Sequence, residues 1–433
     1  LHLSIRRQRQ MCIRDRIMKL RSLFLAGLAV MAMASCSNED DAIVNGGENA
    51  TKDAIFNFGI AFPTSSNTRG TTVKPDEDSE GTALESNVND ITLVLTYANG
   101  APTFTKTYDV SDFTKVGNKY TLTNHELVAP GMVNVKVYVN SNGVPADVLE
   151  SKSAFDLGDY ASTANKGNFF MSGEQKSLDI IAKSDNNEAK VSVDRVAAKL
   201  TEATTQDDYT FTATASSITN AQTLSVKLTD YTFANLNKKS NALALTTTYF
   251  DANDFWNKFT TDGEEDLWSI FGQDTKAMNG IDKDTYCFEN NNSNVTTKIY
   301  YKAIVSVDGV TTKDVNFYVY KNVLYKNYAE LNKVFNGSLE PSFGLTDGST
   351  NSDFMTKVGV TKYTKGVCYY AADIKTAAIE ANILRNNSYL LTVKSIKDLG
   401  LPEIDTPTPG DPTLLSLDVT VKNWTVNLNE IEL

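Results

Sequence analysis

The chain has 433 residues, of which 41% are hydrophobic and 22% charged, so it can bury ordinary globular cores and is neither a disordered chain nor an integral membrane protein. Its 53 acidic and 41 basic side chains give a formal net charge of -12, so nucleic acid, which binds through clustered Lys and Arg, is not an expected partner. Only two histidines are present, His2 and His125, which nearly excludes histidine metal clusters and histidine-based catalytic triads.

The amino-terminal residues have the order of an export signal. Residues 1–17 carry five arginines and lie before Met18, and we interpret them as a non-native translated scar. From Met18 a basic start leads into twelve apolar residues, Leu23 to Ala34, and then to small residues. Because a bilayer takes about 18 or more apolar residues to span, residues 18–35 are predicted to be a signal peptide.

Cys36 follows directly after this signal. Residues 33–36, Met-Ala-Ser-Cys, resemble a bacterial lipobox, in which the cysteine becomes the acylated first residue. The resemblance implies lipidation of Cys36 and an outer-membrane lipoprotein precursor. The acidic run at 37–41 resembles the surface-export signal of Bacteroidales lipoproteins, although a flexible acidic tether would have the same composition.

Residues 54–62 predict a strand with one strongly apolar face, made by Phe56, Phe58, Ile60 and Phe62. A polar, turn-like stretch follows and leads to Arg69 and Gly70. Exposed loops of this composition are preferred sites of proteolysis. Arg69 is therefore either a cleavage site, with Gly70 as the new first residue, or an ordinary solvated side chain.

Period-2 alternation dominates the rest of the chain and predicts an all-β protein. Ile91, Leu93, Leu95 and Tyr97 share one face, as do the valines at 133, 135, 137 and 139. Further β-rich runs lie at 190–193, 209–214, 223–233, 298–306, 314–320, 367–371 and 389–396. Turn residues separate these runs, so we expect antiparallel β-sandwiches with only a few short helices.

The predicted helical signal is strongest at 264–271, where Leu267, Trp268 and Phe271 recur at helical spacing. Such a stripe is usually packing, and a ligand platform is the alternative. The polar stretch at 184–188 predicts a connection between two β domains. Residues 405–412, with three prolines, predict a stiff linker before the carboxyl-terminal segment.

The carboxyl-terminal segment has two apolar sets of opposite parity. Leu417, Val419 and Val421 alternate first, and Trp424, Val426 and Leu428 follow after a slip near Asn423. A one-residue slip turns every later side chain to the other face, so the slip indicates a bulge or two strand pieces that serve two subdomains. An ordinary terminal strand that completes its own sheet is the alternative.

Two cysteines remain once Cys12 is assigned to the scar and Cys36 to the lipid. Cys287 and Cys368 both lie in strand-like runs beside tyrosines. A disulfide and a buried free thiol both fit an exported protein. No CxxC spacing occurs, and the Asp-rich loop at 282–284 lacks calcium-loop spacing, so no metal site is expected.

Several phrases occur in an order that resembles the Bacteroidales fimbrillin family, the subunits of type V pili, and specifically the major stalk subunit of the short fimbria. They are FFMSG at 169–173, VDRVAAKL at 193–200, FANLNKKS at 233–240, YCFEN at 286–290, GVCYY at 366–370, RNNSY at 385–389 and LG at 399–400. Each phrase is weak alone. The ordered set, together with the lipobox, is specific.

The resemblance implies two transthyretin-like antiparallel β-sandwich domains in a protein that polymerises by donor-strand exchange. It divides the chain into a propeptide with the first strand at 36–69, an N-terminal domain at 70–185, a C-terminal domain at 186–404 and a linker with the donor segment at 405–433. An arginine-specific protease would cut after Arg69 and remove the 54–62 strand. The terminal segment of another subunit would replace that strand.

The implied partners are identical subunits, anchor and tip subunits of the same fimbria, and the outer membrane through a transient lipid anchor. Catalytic residues and cofactors are not expected, because no carboxylate pair suitable for a glycosidase stands out. Two alternatives remain open. In the first, the chain is a tip or accessory adhesin of the same fimbria. In the second, it is a surface lipoprotein that binds glycans on residues such as Trp256 and Trp268.

Overall fold

The computed structural model describes residues 51–62, 78–141, 155–156, 168–212, 218, 220, 223–237, 239–243, 255–256, 269–270, 284–292, 295–374, 383–404 and 415–425. Strands predominate throughout these ranges, as the alternation predicted, so the all-β fold class is confirmed. Within the same ranges, no helix is long and apolar enough to cross a membrane.

The strands follow the chain in two series. The first series is β1 (Ala54–Ala61), β2 (Asp78–Glu80), β3 (Asp90–Tyr97), β4 (Phe104–Asp109), β5 (Phe113–Val116), β6 (Lys119–Leu122), β7 (Glu126–Val128), β8 (Gly131–Val139), β9 (Phe155–Asp156), β10 (Met171–Ile180), β11 (Asn187–Ser192), β12 (Asp194–Arg195), β13 (Ala198–Glu202) and β14 (Asp208–Thr212). The second is β15 (Thr223–Ala234), β16 (Leu236–Asn237), β17 (Lys239–Ser240), β18 (Phe255–Trp256), β19 (Ser269–Ile270), β20 (Asp284–Cys287), β21 (Lys298–Val307), β22 (Val310–Thr311), β23 (Phe317–Tyr320), β24 (Val323–Tyr325), β25 (Thr361–Tyr363), β26 (Val367–Asp373), β27 (Asn387–Ile396) and β28 (Leu415–Thr425).

Two sheets enclose the first hydrophobic core. One sheet has the order β11-β1-β6-β5, with β7 also paired to β1, and the other has the order β12-β10-β8-β3-β4. Apolar side chains from both sheets meet between them, among them Phe58, Leu93 and Val137. The pairs are antiparallel except that β1 runs parallel to β11.

Two further sheets enclose the second core. The third sheet has the order β2-β28-β27-β13-β20, and the fourth contains β14-β15-β21-β22 with β19 and β26 added. Leu200 and Leu391 from the third sheet share this core with Val226 and Tyr301 from the fourth. Two pairs of the third sheet are parallel, β13 with β27 and β2 with β28.

The first core extends farther along the chain than the predicted connection at 184–188. Asn187 begins β11, which pairs with β1 in the first sheet, and Val196 and Ala197 still pack into the first core. Ala198 is the first residue of this stretch that packs into the second core. The polar residues before Asn187 therefore form a turn within the first sandwich.

In the part of the chain that the structure describes, the α-helices lie in an insertion between β24 and β25. They are α1 (Tyr328–Val334), α2 (Leu339–Phe343) and α3 (Asn351–Val358), and they pack with β23, β24 and β25 around a third small core. Thr350 and Asp353 form a reciprocal capping box at the start of α3. The helix predicted at 264–271 is wrong at Ser269 and Ile270, which form a strand paired with β15. Residues 257–268 lie outside the described ranges.

Gly173 allows the two sheets of the first sandwich to meet at one corner. A Cβ at this position would lie 2.0 Å from the carbonyl oxygen of Ser192 in β11. Replacing Gly173 with alanine is therefore expected to displace the backbone and lower the free energy of unfolding by about 3 kcal/mol. Urea unfolding measures this. Gly348→Ala is the control, since its Cβ would meet only Thr346 at 3.7 Å, and an equal loss in both variants would contradict the steric explanation.

Candidate functional site

β1 is an interior strand of the first sheet. It pairs in parallel with β11 from Phe56 to Ala61, and on its other side it pairs in antiparallel fashion with β7 and then β6. The end of the strand is held as well, because the side-chain amide of Asn118 donates to the Phe62 carbonyl at 2.7 Å. Removing β1 would leave unpaired backbone on both flanking sides.

One face of β1 forms part of the first core. Phe56 and Phe58 have no exposed surface, and Ile60 and Phe62 are 1% and 3% exposed. The Phe58 ring lies 5.4 Å from Phe113 and 5.6 Å from Tyr108. Burial of these four side chains contributes on the order of 6 to 12 kcal/mol. An excised β1 would therefore leave a long apolar groove lined by aromatic rings.

The other face of β1 ends in two small residues. Gly59 and Ala61 lie between longer side chains of the neighbouring strands, including Lys190 on β11 and Lys119 on β6, and a cavity of about 520 Å³ lies over this end of the strand. A Cβ on Gly59 would lie 3.0 Å from the Tyr120 carbonyl oxygen. The specific packing of β1 is thus concentrated on its inner face.

The predicted lipidation and cleavage residues lie outside the described ranges. This applies to Cys36, Arg69 and Gly70, and also to Val426 and Leu428 of the terminal segment. The two described strands that flank the cleavage residues are β1 and β2. The sequence places Arg69 between a buried interior strand and the short strand that begins at Asp78.

The terminal strand β28 completes the third sheet of its own chain. It pairs in antiparallel fashion with β27 from Leu415 to Asn423. Leu415 is fully buried, and Leu417 and Val419 pack against the second core. The strand is continuous through Asn423, where the apolar parity slips. The register irregularity of this pair lies near the other end of the ladder, between Val393 and Ser395 of β27 and opposite Leu417 and Ser416.

β28 changes partner at Asn423. Asn423 pairs with Asn387, the first residue of β27, and also with Asp78 of β2. Trp424 and Thr425 continue the parallel pairing with Ser79 and Glu80. The residue at which the apolar pattern slips is therefore the residue at which one partner strand is replaced by another.

A buried ionic cluster anchors the residues that follow β2. The Glu85 carboxylate lies 3.1 Å from the Lys199 ammonium and accepts a 2.5 Å hydrogen bond from the Tyr286 hydroxyl. The Arg195 guanidinium donates to the Glu85 carbonyl and to Asn386, at 2.8 and 3.2 Å. Glu85 and Arg195 are each 1% exposed.

The ion pairs set the protonation of this cluster. Burial alone raises the pKa of Glu85, but the Lys199 ammonium, the Tyr286 hydroxyl, the Thr82 N–H and Arg195 together bring that pKa below its ordinary value. Burial lowers the pKa of Lys199, but Glu85 and Asp284 outweigh it, so the pKa of Lys199 is raised. Burial lowers the pKa of Arg195 to about 10. All three groups are charged at neutral pH.

The cluster brings together three of the phrases that carry the family resemblance. Arg195 and Lys199 belong to the phrase at 193–200, Tyr286 to the phrase at 286–290, and Asn386 to the phrase at 385–389. Glu85 is not among the residues predicted from the sequence. The available signal was Thr82-x-x-Glu85, whose two residues exchange backbone and side-chain hydrogen bonds as in a capping box.

Cys287 and Cys368 are both buried free thiols. Burial raises the pKa of each well above its ordinary value, to about 12 for Cys368, so both are poor nucleophiles. Of the two alternatives, a disulfide and buried free thiols, the structure has the free thiols. Among the described residues, no group of three or more His, Cys, Asp or Glu side chains is arranged to hold a metal ion, and the loop at 282–283 lies outside them.

Residues 361–430 match the family described as major fimbrial subunit protein type IV, fimbrillin, C-terminal. This part of the chain is similar to the C-terminal region of fimbrillins. The resemblance predicted from the sequence is confirmed by this match. The matched residues contain β25, β26, β27 and β28, and hence both strands of the terminal ladder. Comparison with curated proteins finds no match.

Solved structures similar to the chain are distant in sequence. A candidate cell adhesion protein of Parabacteroides distasonis is 14% identical, with 86% of this chain and 100% of that chain covered and a TM-score of 0.49. A fimbrilin of Porphyromonas gingivalis is 13% identical, with 87% and 99% covered and a TM-score of 0.48. The tip fimbrial protein of Porphyromonas gingivalis, with a C-terminal truncation, is 11% identical, with 86% and 99% covered and a TM-score of 0.39.

Proposed function

We propose that the protein is a structural stalk subunit of a cell-surface fimbria, polymerised by exchange of a strand between identical subunits. The observation that carries this proposal is the place of β1, a buried strand that is paired on both sides and is the first strand in the described residues. An interior strand at that end of the chain can be removed by one cut, without breaking the sequence of the other strands. The match of 361–430 to a major fimbrial subunit supports the same role.

The groove left by β1 has the properties of an acceptor. It combines unpaired backbone on β11, β6 and β7 with the apolar surface that Phe56, Phe58, Ile60 and Phe62 had covered. Added strands gain affinity from main-chain hydrogen bonds and specificity from side-chain pockets. Such an edge strongly favours a replacement strand. The apolar alternation of the terminal segment at 417–428 makes that segment the donor.

The route to assembly follows from the order of the segments. Cys36 anchors the exported precursor in the outer membrane, and an arginine-specific protease cuts after Arg69. The cut releases the lipid together with β1, so the anchor is transient and the mature subunit starts at Gly70. Identical subunits, with anchor and tip subunits at the two ends, are the partners, and the role requires no catalysis.

Arg69→Ala is expected to abolish fibre formation, because β1 then stays paired in the first sheet and the groove never opens. Electron microscopy of protease-treated protein is the measurement, together with amino-terminal sequencing of assembled material, which should begin at Gly70. Lys74→Ala is the matched control, since it removes a nearby positive charge and leaves the arginine. Fibres formed by Arg69→Ala, or fibres that retain Phe56, would contradict the proposal.

A further inference from the structure

The last described residues of β28 are held differently from the rest of the strand. β27 begins at Asn387, and Asn387 is opposite Asn423, so the antiparallel ladder stops there. Trp424 and Thr425 pair with β2 alone among the described strands, through Ser79 and Glu80. β2 thus holds the point at which the second apolar set begins.

We propose that β2 is a clasp that keeps the end of the chain on its own third sheet, and that only the segment after Asn423 passes to a neighbouring subunit. Residues 415–423 stay with β27. This inference rests on the proposed function, which supplies the acceptor groove. It divides the terminal segment into a retained part and an exchanged part.

The retained part is built into its own sandwich. Leu415 is fully buried, and Leu417 and Val419 pack against the second core. The backbone of this part is paired with β27 along its whole length. Transferring it would remove a strand from the third sheet and expose the second core. The described residues after Asn423, by contrast, pair only with the three-residue strand β2.

The exchanged part fits the groove in length and pattern. Its apolar set extends over five residues, Trp424 to Leu428, and the set from Phe58 to Phe62 has the same length. Trp424, Val426 and Leu428 alternate with polar residues, as Phe58, Ile60 and Phe62 alternate with small ones. The parity slip at Asn423 then has a physical reason, because the two apolar sets face two different cores.

The position of β2 suits it to be released. It has three residues and one partner strand, and it lies eight residues beyond Gly70 in the sequence. On its other side the chain is fixed within a few residues, since Glu85 is bound to Lys199 and Tyr286. β2 can therefore leave β28 while the junction that follows it stays intact.

Amide hydrogen exchange of the uncut, full-length monomer tests the clasp. Proline is placed at Ser79 and, separately, at Glu80, because successive N–H groups of a strand point to opposite sides and one of the two faces β28. In one of these variants, the amide of Trp424 or Thr425 that faces β2 should exchange about five-fold faster, because it loses its hydrogen bond. The amides within 416–422 that face β27 should be unchanged.

The matched controls are Ser79→Ala and Glu80→Ala, which keep both N–H groups and should exchange like the parent. Unchanged exchange at Trp424 and Thr425 in both proline variants would overturn the clasp. Because this measurement uses monomers, it gives its answer whether or not the protein polymerises. Failure of the proposed function would appear separately, as fibres formed by Arg69→Ala.

Two truncations test the division of the segment. A chain ending at Asn423 should keep its thermal midpoint within about 3 °C of the parent and, once cut, should not extend fibres. A chain ending at residue 414 should lose the strand on β27 and unfold at a clearly lower temperature. Fibre extension by the chain that ends at Asn423, or equal midpoints for both truncations, would overturn the division.

Discussion

Replacing Glu85 with alanine is expected to lower the free energy of unfolding by about 3 to 5 kcal/mol, the cost of breaking a buried ion pair from one side. Lys199 would lose one of its two carboxylate partners and keep its 2.8 Å contact with Asp284, and the buried Tyr286 hydroxyl would lose its hydrogen bond to Glu85. The loss falls at the junction of the two cores, since Glu85 also lies against Arg195 through its carbonyl. Urea unfolding followed by circular dichroism measures it.

Glu188→Ala is the matched control for this loss. Glu188 also pairs with a lysine, Lys190, at 3.0 Å, but both side chains are exposed. An exposed pair is worth about 0 to 1 kcal/mol, so this variant should unfold close to the parent. If Glu85→Ala were equally mild, the buried cluster would not be what holds the junction.

Acid should weaken the same junction. The pKa of Glu85 is lower in the folded protein than its ordinary value of 4.5, so the ionised carboxylate contributes stability above that value. This contribution is lost as the pH falls through the lower folded-state pKa. Glu85→Gln has no charge to titrate at this position, so its unfolding free energy should fall less steeply below pH 4.5 than that of the parent.

The sequence predicted the inner face of β1 because alternation is a local signal. Phe56, Phe58, Ile60 and Phe62 are spaced by two residues, and a strand places such residues on one side. The same reasoning predicted β3, β8 and β21 close to their observed bounds. It did not indicate that β1 pairs with β11, because that pairing joins residues more than 130 positions apart.

The junction and the clasp were missed for the same reason. Glu85 and Lys199 are 114 positions apart, and Ser79 and Trp424 are farther still, so no local pattern marks either contact. The helical insertion was missed although its signals are local. Thr350 with Asp353 begins α3, and Gly359 ends it in the left-handed conformation, but the helix has eight residues and its apolar periodicity is short.

Alanine substitutions of Phe58 and Phe113 should destabilise the precursor equally but differ in their effect on the stability of the fibre. Their rings are 5.4 Å apart in the first core, and replacing either with alanine is expected to lower the free energy of unfolding of the uncut protein by about 3 to 5 kcal/mol. Phe58 is on the strand that the proposed cut removes, and Phe113 is on the wall that remains. In the assembled fibre only Phe113→Ala should therefore still have an effect.

The fibre measurement decides between exchange and simple association. Fibres assembled from cut Phe58→Ala subunits should dissociate at the parent's denaturant concentration, because the donor segment has replaced the altered strand. Fibres of Phe113→Ala should dissociate at a lower concentration, since the donor then packs against a cavity. A loss of fibre stability in Phe58→Ala equal to that in Phe113→Ala would mean that β1 is still part of the first sheet, and that subunits associate without exchanging a strand.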